Sequence, residues 1–179
     1  MRKRLGSFIL GEDDQTLEGV VLDALAAREG SLAVVETFTA GQIAARIAHL
    51  PGAEKVFLRG LVFRDPAELA AALGLDGGLI SGEMSREAAE KVAQAIRRET
   101  GASHALAVLI EVDDGPDRID FGGSIHLAIA GAEGVESRRS RIYGGRDWVR
   151  LGAVELGLDC LRRYLQGLPV TERTDFERI

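Results

Sequence analysis

The residues Glu36-Thr37-Phe38-Thr39-Ala40-Gly41 place a carboxylate and two hydroxyls just ahead of two small residues. They follow an apolar run, Leu32 to Val35, and precede the helical spacing of Ile43, Ile47 and Leu50. That layout predicts a strand-to-helix turn. A Thr37 hydroxyl on such a turn is expected to meet solvent beside the N–H groups that a helix start leaves without intrahelical partners. Two kinds of chemistry suit the position. One is attack by Thr37 on an amide carbonyl, with backbone N–H groups from Thr39 to Gly41 holding the oxyanion. The other is binding of an anion. The plain alternative for Thr37 is a turn hydroxyl. For Thr39 it is a helix N-cap, with Gln42 completing a capping box. Glu36 is the nearest candidate base, or else a strand-end carboxylate facing solvent or an arginine.

Arg64 and Arg146 are candidate anion contacts, because a guanidinium presents a two-pronged donor fork. Gly144-Gly145 leave the backbone open ahead of Arg146, whereas Arg64 better suits a surface ion pair. Glu111, Asp113, Asp114 and Asp117 could take a hard cation, but they follow no calcium-loop pattern, so a solvated acidic loop is expected and no metal site. His49, His104 and His126 form no pair at metal-ligand spacing, and the two that fall on predicted strands read as structural. Gly122-Gly123 is too short for a nucleotide fingerprint. No cofactor is expected.

The elements that must position these groups follow from spacing and punctuation. Ser7 to Leu10 reads as a short strand or ordered arm. Leu17, Val20, Val21, Ala24 and Leu25 recur at helical spacing, with Gly30 as a stop. Leu32 to Val35 suits a strand covered on both faces. A helix is expected from Thr39 to Pro51-Gly52, then a strand from Val56 to Phe63. Asp65-Pro66 starts a short helix ending near Leu73. Asp76-Gly77-Gly78 reads as a turn. Ser85 caps a helix stopped by Gly101. His104 to Val112 and Gly123 to Ala130 read as strands, with a charged loop over 113–120 between them. A turn at 131–134 leads to an edge strand from Val135 to Tyr143, whose Arg138, Arg139 and Arg141 suit exposure. The last helix spans about Trp148 to Leu165. Alternating strands and helices with one late strand pair predict a single three-layer α/β/α domain around a mixed sheet. The expected division is an arm over 1–12, the domain over 13–168 and a polar tail over 169–179.

With 179 residues, 46% of them hydrophobic and 28% charged, the chain has the composition of a globular domain with a full core. A net charge of −6 argues against a nucleic-acid surface. One cysteine, Cys160, excludes an internal disulfide and reads as a buried small hydrophobe. No stretch is apolar enough to span a bilayer, and the basic start is not followed by a signal-type apolar region. A cytoplasmic protein is the expectation.

Several blocks, in order, resemble the CinA C-terminal domain family, which includes the nicotinamide-nucleotide amidases. Glu36-Thr37-Phe38-Thr39-Ala40-Gly41 resembles its Glu-Ser-Cys-Thr-Gly-Gly motif. Arg4-Leu5-Gly6 through Thr16-Leu17-Glu18 resembles the segment leading into this domain in fused proteins. Pro51-Gly52-Ala53 with Phe57 to Val62, Gly123-Ser124-Ile125, and Gly144-Gly145-Arg146 with Arg150 resemble further blocks. The resemblance implies an amidase fold, a serine nucleophile assisted by a tyrosine and a lysine, and a small phosphorylated nucleotide as ligand. The serine matches Thr37, the tyrosine Arg64 and the lysine Leu69. Leu69 moves no proton, and Arg64 is always charged. The family's glycine-bearing Ser-Gly-Ile-Ala-Gly-Pro loop matches Leu109 to Asp114, where the glycines are gone and carboxylates stand nearby. Three expectations result: a member with impaired chemistry acting as a binding or assembly module, an active amidohydrolase using Thr37, or a homo-oligomeric structural partner.

Overall fold

Period-two alternation gives each strand two faces, and in the central strands both are apolar. In a computed structural model that describes residues 15–81, 84–113 and 122–172, Leu32 and Val34 turn to one face of the sheet and Ala33 and Val35 to the other. Leu106, Val108 and Ile110 alternate in the same way with Ala105, Ala107 and Leu109. Such strands need a helical layer on each side.

The elements are α1 (Leu17–Ala26), β1 (Leu32–Glu36), α2 (Gln42–Ala48), α3 (Ala53–Val56), β2 (Phe57–Val62) and α4 (Pro66–Ala72). They continue with α5 (Gly77–Ser81), α6 (Arg86–Thr100), β3 (His104–Val112), β4 (Gly122–Gly131), β5 (Gly134–Tyr143) and α7 (Arg146–Leu165). The strand order is β2-β1-β3-β4-β5. β1 pairs in parallel with β2 and β3; β3 with β4 and β4 with β5 are antiparallel. The architecture is the expected α/β/α layering of a mixed sheet.

One helical layer, of α1, α2, α3 and α7, covers the face bearing Val34, Val108 and Leu127. The other, of α4, α5 and α6, covers the face bearing Val35, Ala107 and Ala128. Alanines on the second face meet Ala88, Ala89 and Ala93 of α6, so helix and sheet approach closely with little side-chain entropy to lose. Side chains cap the starts of α1, α4 and α6. Two of them, Asp65 accepting from Ala67 N–H and Ser85 from Ala88 N–H, are the caps expected from the sequence; the third, Thr16 accepting from Gly19 N–H, is seen only in the structure. Gly101 ends α6 with φ +69°.

Three expectations are corrected. Asp76-Gly77-Gly78 opens the short helix α5, with Asp76 accepting from Gly78 N–H at 2.9 Å, instead of forming a plain turn. The helix expected from Thr39 to Pro51 runs only over α2, and α3 follows it. β5 is an edge strand, yet its Arg138 is buried, because it shares the inward parity of Ser140 and Ile142. Cys160 is buried, as expected, with its Sγ 3.7 Å from Val170 O. The arm at 1–12, Asp114, Asp117 and the tail beyond 172 lie outside the described residues. Among the described residues no helix is long and apolar enough to cross a membrane.

Candidate functional site

β3 runs past the end of β1, and that overshoot governs Thr37. Glu36, the last residue of β1, lies opposite Val108, while β3 continues to Val112. Thr37 N–H donates to Val108 O at 3.2 Å. The next N–H that β3 presents on this side belongs to Ile110, and Thr37 Oγ1 accepts from it at 3.0 Å. A buried N–H without a partner is costly, and the threonine side chain supplies the acceptor that β1 no longer offers. Thr37 is therefore 6% exposed, not at the solvent boundary where its spacing placed it. Among the described residues no lysine or tyrosine hydrogen-bonds its hydroxyl.

Glu36 is fully buried and points to the opposite side of the sheet from Thr37, since successive strand residues alternate. Its Oε2 accepts from Thr39 Oγ1 at 2.6 Å and Ile43 N–H at 3.0 Å; its Oε1 accepts from Ala44 N–H at 2.8 Å. The anion that the start of α2 attracts is thus the chain's own carboxylate. Thr39 is not the N-cap: that position is Gly41, at φ +82°, and the Thr39 hydroxyl donates to Glu36 instead. The expected capping box with Gln42 does not form, because the turn passes through two left-handed residues, Ala40 at φ +58° and Gly41, before the helix begins. Gly41 sits tightly under Val62, whose Cγ2 would lie 3.1 Å from an added Cβ.

The tertiary fold brings Arg64 and Arg146 together at this turn. Arg64 follows β2 and Arg146 opens α7, yet their guanidinium carbons lie 5.8 and 4.9 Å from the Phe38 ring centroid. Each cation–π contact is worth on the order of 0.5–1 kcal/mol at an exposed site. Beside them, Asp65 caps α4 and Asp147 pairs with Arg150 at 3.1 Å. What results is an aromatic ring flanked by two cations, with an adjacent hydroxyl and carboxylate already committed to the backbone.

The remaining positions explain themselves by packing. Leu69 is fully buried in the cluster with Val35 and Ile80, against which Phe63 packs. Burying a leucine stabilises by roughly 1.5–3 kcal/mol, so a solvated ammonium has no place there. Leu109 to Val112 continues β3, paired with Gly123 to His126 of β4, and forms no open loop. Asp113 pairs with Arg141, and that hydrogen bond raises the guanidinium pKa further. His126 is buried on β4, His104 begins β3, and His49 Nδ1 lies 2.9 Å from Ala45 O. Among the described residues no group of three His, Cys, Asp or Glu side chains is placed to hold a metal.

Comparison with known proteins gives one answer. The family model of the CinA C-terminal domain matches residues 14–165. A CinA-like protein of Frankia casuarinae is 38% identical over 175 residues, covering 97% of this chain and 40% of that protein. A CinA-like protein of Geotalea uraniireducens is 31% identical, covering 97% of this chain and 42% of its own length. The chain therefore spans about two fifths of the length of these relatives. The crystal structure of a competence or damage-inducible protein from Enterobacter asburiae superposes with a TM-score of 0.72 at 21% identity, over 85% of this chain and 99% of that one. At that identity the likeness establishes the fold.

Proposed function

The chain belongs to the CinA C-terminal domain family, and from that premise we propose that it keeps the nicotinamide-nucleotide amidase scaffold without effective amidase chemistry, serving as a binding or assembly module. The observation that carries this reading is the Thr37 hydroxyl, buried and accepting from Ile110 N–H. A hydroxyl attacks only when a neighbouring group takes its proton. Leu69 and Arg64 stand where the resemblance implies lysine and tyrosine, and neither can do so. Glu36 faces the other side of the sheet and already accepts three hydrogen bonds. Losing a general base costs roughly 10²–10⁴-fold. Under this reading Arg64, Arg146 and Phe38 retain affinity for a small phosphorylated nucleotide, through charge and stacking.

The test is ammonia release from nicotinamide mononucleotide by the purified chain. The expected rate equals that of Thr37→Ala. Restoring serine alone, Thr37→Ser, is expected to leave turnover unchanged. Robust turnover that Thr37→Ala abolishes would establish the alternative, an active amidohydrolase with Thr37 as nucleophile. Self-association is a separate reading, favoured by Trp148 at 58% and Leu151 at 47% exposure near the start of α7. Sedimentation velocity over a range of concentrations checks it, and a monomer throughout removes it.

A further inference from the structure

We propose that the hollow between the first turns of α6 and the β4–β5 hairpin is a second ligand site, built for a small phosphate monoester that carries hydroxyl groups. It has a volume of about 660 Å³ and is lined by Ser85, Arg86, Glu90, Lys91, His126 and Arg139 among others. That volume lies within the roughly 300–1,000 Å³ typical of small-molecule sites. The β4–β5 register sets His126 opposite Arg139, so both side chains share the face that α6 covers. His126 is 3% exposed.

Charge supplies the class of ligand. Arg46, Arg59, Arg141, Arg150, Arg162 and Arg163 each have a carboxylate within ion-pair distance. Arg86, Lys91 and Arg139 have no ion pair or hydrogen bond among the described residues, and all three border this hollow. In a chain of net charge −6, three cations without an ion pair outnumber the two carboxylates around one concavity and leave it a net positive potential. Glu87 and Glu90 also line it, and Glu90 accepts from Ser137 Oγ at 2.5 Å. These carboxylates can accept from ligand hydroxyls while opposing a bare, compact polyanion. A phosphorylated sugar satisfies both sets of groups.

The site is independent of the Phe38 turn. Phe38 packs against the core on the α7 face, whereas His126 shares the face of Ala128 and Ala130, which α6 covers. On that α6 face, buried Leu109 of β3 separates His126 from Thr37, since Leu109 pairs with His126 and Thr37 bonds to the neighbouring Val108. Two strand spacings put Thr37 and His126 about 10 Å apart.

The experiment is isothermal titration of the full chain with ribose 5-phosphate, with inorganic phosphate and ribose as comparators. Saturable binding of ribose 5-phosphate is expected, tighter than of either comparator. Arg139→Gln and Lys91→Gln, at exposed positions that leave the core intact, should each weaken it roughly tenfold, equivalent to about 1.4 kcal/mol. Arg59→Gln, at an exposed ion pair outside the hollow, should leave it unchanged. The chain has three histidines, so a shift of the His126 ring resonances on titration provides a second readout. Absence of saturable binding at millimolar ligand, equal affinity for inorganic phosphate, or sensitivity to Arg59→Gln in place of Arg139→Gln would each overturn the proposal. None of these outcomes bears on ammonia release.

Discussion

At residue scale, Ala40 carries a conformational cost that the turn imposes. Its φ of +58° lies in the left-handed region, where an L-residue with a Cβ loses roughly 1–2 kcal/mol. The resemblance puts glycine at this position. Glycine would relieve the strain but gain freedom in the unfolded chain, worth roughly 0.4–1 kcal/mol against it. Strain relief outweighs that entropy, so Ala40→Gly is expected to stabilise by about 0.5–1 kcal/mol, read as a higher urea midpoint. Thr37 gives the opposite sign. Thr37→Val keeps the shape but removes the acceptor for Ile110 N–H, and the stranded buried donor should cost about 1–3 kcal/mol by chemical denaturation. A neutral effect would mean that the hydroxyl is not structural. The sequence made Thr37 and Glu36 legible as special because hydroxyl and carboxylate sit at a strand end. It did not reveal that backbone groups claim them, because the claimants, Ile110 and Ala44, are set by strand overshoot and helix placement.

At the scale of elements, α7 differs from an ordinary surface helix in its last turns. Arg162 and Arg163 are each 1% exposed. Asp159 Oδ1 accepts from Arg162 Nη2 at 2.6 Å, and its Oδ2 accepts from Arg163 Nε at 2.6 Å. Arg163 reaches Glu172, and Arg138 of β5 donates to Val170 O at 2.9 Å and Glu172 O at 2.7 Å. This network ties α7 and β5 to the segment that follows the helix. Removing one partner of a buried ion pair leaves charge without compensation, at a cost of about 3–5 kcal/mol. Asp159→Asn should destabilise by that amount, whereas Asp147→Asn, on an exposed pair at the start of the helix, should change stability by under about 1 kcal/mol. Equal effects in thermal melts would contradict the assignment. The helix itself was legible from its apolar spacing. Its buried arginines were not, because arginine is read as a surface residue unless its acid partners are known to sit inside. Only the alternation of Arg138 with Ser140 and Ile142 hinted at an inward guanidinium.

At the scale of the whole molecule, His104 sits where the two helical layers meet the start of the sheet. Its ring packs edge-on to Tyr164 of α7, with centroids 6.0 Å apart, and Ser103 Oγ lies 2.8 Å from its Nδ1. Burial, then the charges of Arg97 and Arg28, lower its pKa below the ordinary 6.5. A depressed histidine pKa means that protonation favours the unfolded chain. Its stabilising effect is complete above the unfolded value and is lost as pH falls through the folded one. Stability should therefore decline as pH falls below about 7.5, by no more than about 1.4 kcal/mol per pH unit, and His104→Phe should flatten that slope in urea melts. An unchanged slope in the variant would remove His104 as the source.

Period-two strands, helical spacing, the caps at Asp65 and Ser85 and the stop at Gly101 fixed the order of elements and the mixed α/β architecture from local chemistry alone. Those signals act within a few residues, and so the chain states them directly. Which groups converge is a different matter. Arg64 and Arg146 meet over Phe38, Ile110 takes the Thr37 hydroxyl, and three cations ring a hollow beside His126. Those juxtapositions join residues tens of positions apart, and only the packing of helices onto a completed sheet brings them within reach.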